Sequence, residues 1–197
     1  MPVSSNTFWQ GYVDRLRAAL DDGPADAIGA LAATLLSALQ HRNQVFLAGN
    51  GGSAGNAIHL ANDLLYGMAK ESGLGLQVES LTANSSILTC LANDIAYEEV
   101  FAEQVRIKGG PGDVLIVLSG SGNSPNIVRA LETANGIGMN TFAILGYTGG
   151  RCRELAQVPI HFAVDDMQIS EDIQLIVGHM CVQWVREQVR QGLVGTA

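Results

Sequence analysis

Basic residues are scarce. Lysine and arginine number 11 against 19 aspartates and glutamates, a net charge of −8, and no basic stripe runs through the chain. A surface that holds nucleic acid draws its affinity from lysine and arginine neutralising phosphates, so that class is excluded. A single phosphate ligand is not excluded, because backbone N–H groups and hydroxyls bind it without charge. Cysteine is equally sparse. Cys90, Cys152 and Cys181 are odd in number, scattered, and form no C-x-x-C, which argues against a disulfide framework or a zinc knuckle. They read as small apolar residues of a reducing compartment. Although 47% of the residues are hydrophobic, no uninterrupted apolar run exists of the kind a membrane span needs. The opening segment MPVSSNTFWQGYVDRLR lacks a basic region followed by an apolar core, so no signal peptide is expected. With no linker, low-complexity segment or charge block, residues 1–197 are expected to form a single domain in the cytoplasm, without membrane or nucleic-acid partner.

What the chain does have is two strand–turn–helix units of similar character. In the first, Val45-Phe46-Leu47-Ala48 stops at Gly49-Asn50-Gly51-Gly52, and Ser53 opens a stretch of helical character from Ala54 to Leu65. N–H groups in such a turn and in the first helical turn have no intrahelical partner, and the helix dipole is positive there, so an anion is the expected guest. No Gly-Lys-Ser/Thr follows, and Ala54 stands at the third position of a G-x-G-x-x-G pattern. Neither common nucleotide cradle is present, and no nucleotide cofactor is expected. A plain strand–helix connection would use the same glycines. His59 and Asp63 are four residues apart and share one helix face. In the second unit, the apolar run Val114–Leu118 reads as a buried parallel strand. Ser119-Gly120-Ser121-Gly122-Asn123-Ser124 follows, and Pro125 starts a helix at a position that suits proline. The hydroxyls of Ser119, Ser121 and Ser124 can donate to phosphate oxygens.

Around these units the hydrophobic pattern predicts amphipathic helices at Phe8–Leu20 and Ala25–Gln40, whose apolar faces pack on the sheet or on another subunit. Further strands are expected at Leu76–Ser80, Thr141–Leu145 and Ile160–Val164. Helices are expected at Ile87–Ala92, Tyr97–Ile107, Pro125–Ile137, a short stretch ending near Ala156, and Glu171–Gln191. The alternation defines a three-layer α/β/α domain with a five-stranded parallel sheet. In the flavodoxin-like order 2-1-3-4-5, the ends of strands one and three flank the topological switch point, and both anion turns face one crevice.

The segments GNGGSA…H…D, LTCLANDIAYEEVFAEQV, LSGSGNSPNIVRAL and GYTGG together resemble a sugar isomerase (SIS) domain, most nearly the phosphoheptose isomerase group, over almost the whole chain. The resemblance implies isomerisation of a sugar phosphate, such as sedoheptulose 7-phosphate, within heptose synthesis. It implies a homotetramer with active sites shared between subunits, to which residues 1–43 contribute packing. It implies that Asn50, Gly51, Gly52, Ser53, Ser119, Gly120, Ser121 and Ser124 hold the substrate, with Asp94 and Glu171 beside it. Asp63 and His179 fall at the family's catalytic positions, and His59, Asp63, Glu171 and His179 at the positions that bind zinc in some members.

Ketose–aldose isomerisation needs a base for a carbon-bound proton and an acid or metal for the developing oxyanion. Asp63 with His179 can serve, and two histidines with two carboxylates are an acceptable zinc set. Several positions depart from the family pattern. Asp63 replaces a glutamate, one methylene longer, so its carboxylate is expected to fall ~1.5 Å short, and misplacement on that scale can cost about 10²-fold in rate. Gly67 replaces an arginine, Gly120 a threonine, Glu171 a glutamine ligand and Gln174 a histidine, and Gln168 stands near where an aspartate is usual. Glu171 also fits as a helix-start acid after Ser170. His41 and His161 have no partners that the sequence identifies. The phosphate end is thus kept and the chemical end altered. The alternatives are an isomerase of another sugar phosphate and a non-catalytic phosphosugar-binding regulator or scaffold.

Overall fold

The computed structural model describes residues 5–192, excepting the side chains of Glu71 and Ser72. Five parallel strands lie in the order β2-β1-β3-β4-β5, as the alternation predicts. They are β1 (Gln44–Gly49), β2 (Gln77–Ser80), β3 (Val114–Ser119), β4 (Asn140–Leu145) and β5 (Val158–His161). Strand side chains alternate between the two faces of the sheet. Val45, Leu47, Val114, Ile116 and Leu118 therefore enter one apolar cluster, while Phe46, Ala48, Leu115 and Val117 enter a second. The first lies under α2 (Ala25–His41), α3 (Gly52–Asn62) and the last helix, α9 (Met167–Arg190). The second lies under α6 (Ala102–Lys108), α7 (Pro125–Ile137) and α8 (Gly150–Leu155). Covering both faces makes all three layers apolar inside, which is why β3 reads as an unbroken hydrophobic run.

Several element bounds differ from expectation for local reasons. The helix after β1 does not stop at Leu65. It passes through a π-helical turn, Asp63–Gly67, into α4 (Met68–Ser72). A π turn adds a residue to one coil and commonly marks a functional position. Helix α5 (Ser85–Asp94) is capped by Asn84, whose side-chain oxygen accepts the N–H groups of Ser86 and Ile87. The expected helix over Tyr97–Ile107 is split into a 3₁₀ turn, Tyr97–Glu99, and α6. Strand β5 ends at His161 and not Val164, pairing from Phe142↔Val158 to Leu145↔His161. Pro159 is tolerated because β5 is an edge strand. Helix α9 starts at Met167 and not Glu171, because the Asp166 side chain accepts the N–H groups of Gln168 and Ile169.

Helix α1 (Ser5–Asp21) lies across α9. Tyr12, Leu16 and Leu20 pack toward the core as their spacing predicts, but Phe8 and Trp9 are 68% and 67% exposed. The Tyr12 hydroxyl donates to the Asp172 carboxylate at 2.5 Å, which pushes its pKa up to about 12.

Near the site α3 and α9 pack closely against each other. A β-carbon on Gly178 would lie 2.2 Å from Leu60 Cδ2, and Leu60 is itself buried, so only glycine lets the two helices approach this far. Overpacking of this kind costs about 1–3 kcal/mol. Gly178→Val is expected to lower the urea midpoint correspondingly, with the m-value retained; an unchanged midpoint would show that the helices are not held at this distance.

Candidate active site

The β1–β3 pairing aligns Gly49 with Leu118, so the turn after β1 and the loop after β3 emerge side by side. Their convergence forms a crevice of about 280 Å³ lined by Asn50, Gly51, Gly52, Ser53, Ser119, Gly120, Ser121, Ser124 and Glu171, with Leu118 and Met167. The first turn contributes the start of α3, where the N–H groups of the first residues lack intrahelical acceptors. In the second loop the Ser119 Oγ accepts the Gly122 N–H at 3.1 Å, and the Ser121 Oγ accepts the Asn123 N–H at 3.3 Å. Accepting a backbone proton leaves each hydroxyl its own proton to donate. Ser124, at the start of α7, makes no side-chain capping bond. Gly122 holds the loop shape: its φ is +67°, and a β-carbon would lie 1.9 Å from the Gly149 carbonyl oxygen.

Asn126 was not found from the sequence. It is buried, and its side-chain amide pairs reciprocally with that of Asn50, at 2.8 Å and 2.9 Å. The pair ties the first turn to α7. The Tyr97 hydroxyl donates to the same Asn50 Oδ1 at 3.1 Å. The only available signal was the placement of an amide on the helix that leaves the serine loop.

Further along α3 and α9 a second group gathers. His59 Nε2 lies 3.0 Å from His179 Nε2, and each is 3.3 Å from Asp63 Oδ2. The imidazole planes meet edge to face, with centroids 5.2 Å apart. Four-coordinate zinc with bonds of about 2.0–2.1 Å requires donor–donor edges of roughly 3.3 Å. This triangle therefore fits a small divalent ion, and a fourth coordination position is left for water or substrate. A cavity of about 260 Å³ adjoins it, lined by Asp63, Gly67, His179, Val182, Gln183 and Arg186. The shortened carboxylate at position 63 thus reaches both imidazoles.

The other expected residues fall elsewhere. Glu171 is not among the gathered metal donors. It lies two turns before His179, about 12 Å along the helix, and its carboxylate rests against the first turn: a β-carbon on Gly52 would meet both its oxygens at 2.3 Å. Nor is Glu171 a helix-start acid, since α9 begins a turn earlier. Asp94 ends α5 and does not line the crevice. Its carboxylate accepts from Asn93 Nδ2 at 2.8 Å and from Cys90 Sγ at 3.3 Å. Those bonds hold the carboxyl below the usual range and push the Cys90 thiol up. Gln174 is buried; its Oε1 accepts from Asn56, while its Nε2 has no partner among the described residues. His161 and His41 do have partners, the Tyr147 carbonyl at 2.9 Å and the Ser37 carbonyl at 2.9 Å.

Parallel strands with a glycine turn and a serine loop side by side at the switch point define a ligand-binding domain of the doubly wound class. The family model for the SIS domain matches residues 8–146. The phosphoheptose isomerase of Chlorobaculum parvum is 36% identical over 182 residues, covering 90% of this chain and 86% of that protein. That of Synechocystis sp. is 36% identical over 181 residues, covering 91% and 93%. The solved phosphoheptose isomerase of Neisseria gonorrhoeae superposes with a TM-score of 0.84 at 25% identity, covering 92% of this chain and 96% of that one. The chain belongs to the SIS domain family. Within it, identity of this order along nearly the full length makes the chain an isomerase.

The metal assignment has a direct check. Elemental analysis after dialysis against a divalent transition metal ion is expected to find about one ion per chain, reduced at least tenfold in affinity by Asp63→Asn or His179→Ala; equal retention by the variants would place the ion elsewhere.

Proposed function

We propose that the chain interconverts the ketose and aldose forms of a sugar phosphate, sedoheptulose 7-phosphate and D-glycero-D-manno-heptose 7-phosphate, through an enediol, in the cytoplasmic supply of heptose for surface polysaccharide. One observation carries the proposal: the anion crevice and the His59–Asp63–His179 group lie on the same two helices. From Ser53 to His59 and from Glu171 to His179 the axial rise is about 9 and 12 Å. An open-chain seven-carbon phosphate separates its first carbon from its phosphorus by about 10 Å, at the roughly 1.2 Å per bond of an extended chain. A phosphate in the crevice would bring the carbonyl end to the histidines.

In this reading Ser53, Ser119, Ser121 and Ser124, with backbone N–H groups, hold the phosphate. Asp63 takes a proton from C1 of the ketose and delivers it to C2, while His179 gives a proton to O2 and receives one from O1. Asp63 turns Oδ2 to the imidazoles, and Oδ1, with Asn62 Nδ2 at 3.3 Å, remains for the carbon-bound proton. His59, Asp63 and His179 would hold zinc, which when bound would polarise the carbonyl oxygen in place of the His179 proton. Glu171 borders the sugar. The exposed Phe8 and Trp9 on α1, and Met180 and Trp184 on α9, are 68%, 67%, 47% and 41% exposed. They support a homotetramer, in which the two leading helices join the contacts between subunits of one single-domain chain.

The test is incubation with sedoheptulose 7-phosphate, zinc-loaded or chelated, beside Asp63→Asn and His179→Ala. Aldose product from the wild type is expected, falling about 10²-fold or more in either variant. No product in any condition, with phosphosugar binding retained, would contradict the assignment.

A further inference from the structure

We propose that Asn126 and Tyr97 are positioning residues that lock Asn50 as a hydrogen-bond donor to the bound sugar phosphate. The inference rests on the functional reading above, because it takes the crevice to hold that ligand.

An asparagine side chain offers two N–H donors at one end and an oxygen with two lone pairs at the other, and it can be turned to present either end. At Asn50 that choice is removed. Its Oδ1 accepts from Asn126 Nδ2 at 2.9 Å and from the Tyr97 hydroxyl at 3.1 Å, so both lone pairs are engaged. Its Nδ2 donates to Asn126 Oδ1 at 2.8 Å, leaving one proton on that nitrogen. Turning the amide over would set Asn50 Nδ2 against Asn126 Nδ2, donor against donor, and would oblige the Tyr97 hydroxyl to accept instead of donate. Asn126 is 1% exposed on the first turn of α7, so its amide has little water to bond in place of Asn50.

Asn50 lines the crevice with Ser119, Ser121 and Ser124. The crevice is therefore completed by a neutral N–H whose direction is set from outside it. This donor matters because no lysine or arginine among the described residues lines the crevice, while the Glu171 carboxylate does. A phosphorylated ligand there presents oxygens only as acceptors along its phosphate. A locked donor favours it, and a free amide would spend part of its time presenting an oxygen to an anion. Asn126 and Tyr97 act through Asn50 and touch neither the reacting carbons nor the metal group.

The experiment is a double-mutant cycle read by calorimetric binding of sedoheptulose 7-phosphate and by the split between KM and kcat. Asn126→Ala is expected to weaken binding about tenfold, and Tyr97→Phe two- to threefold, with kcat held within about twofold. In an Asn50→Ala background both substitutions are expected to lose their effect, because the group they orient is gone. A merely structural role would persist in that background. Tyr97 is 59% exposed, so Tyr97→Phe keeps the cycle decisive should Asn126→Ala fail to fold. Additive losses in the Asn50→Ala background would overturn the inference while leaving the functional reading in place. A wild type that binds no sugar phosphate would overturn both.

Discussion

The contact between α3 and α9 is the constraint on which the site depends. Each helix alone carries half of what the chemistry needs. On α3 the first turn offers N–H groups and a later turn His59, and the π turn that continues it offers Asp63; on α9 Glu171 precedes His179 by two turns. Only where the backbones come close enough do these halves face each other. The absent side chain at Gly178, filled by Leu60, sets that distance. Asn56 reinforces it, its Nδ2 reaching the Glu171 carbonyl at 2.9 Å and Gln174 Oε1 at 3.0 Å. The sheet then supplies the other coordinate, because β1 and β3 are neighbours and end level with each other.

The electrostatics divide the site into two regions of different chemistry. In the proposed reading the crevice would bind through oriented dipoles: helix-start N–H groups, serine hydroxyls and one fixed amide. Such donors are held in place before the ligand arrives and cost little reorganisation. The histidine–aspartate triangle gathers three metal donors instead, partly open to solvent, where an ion and a carbonyl oxygen can enter. In the proposed reading, separation by about two helical turns would keep the phosphate charge away from the reacting carbons and make chain length a property the site can read.

Much of this was legible in the sequence because it is periodic or local. Strand alternation, the buried run of β3, the glycine turn and the serine loop each follow from a few adjacent residues. The spacing of His59 and Asp63 gave a shared face, and the pairing with His179 came from resemblance. What was not legible is long-range. Asn126 looks like any polar residue at a helix start until its amide meets Asn50, 76 positions away. Glu171 stood at a ligand position, yet its helix begins earlier, at the Asp166 cap, and its side chain reaches back to Gly52. Nothing in Asp63–Gly67 signals a π turn, because propensity does not distinguish it from an ordinary helix. The departures at Gly67 and Gly120 have separate local answers. Gly67 opens onto the cavity beside Asp63, and Met167 Sδ fills the space above Gly120, lying 2.6 Å from where a β-carbon would be.

The central claim is that one continuous site joins the phosphate crevice to the histidine–aspartate triangle. Its most direct test is diffraction at the zinc absorption edge from crystals soaked with zinc and sedoheptulose 7-phosphate. The account expects an anomalous peak about 2.0–2.2 Å from His59 Nε2, His179 Nε2 and an Asp63 oxygen, with the phosphate among Ser53, Ser119, Ser121 and Ser124. Zinc on other side chains, or a phosphate bound outside the crevice, would contradict it.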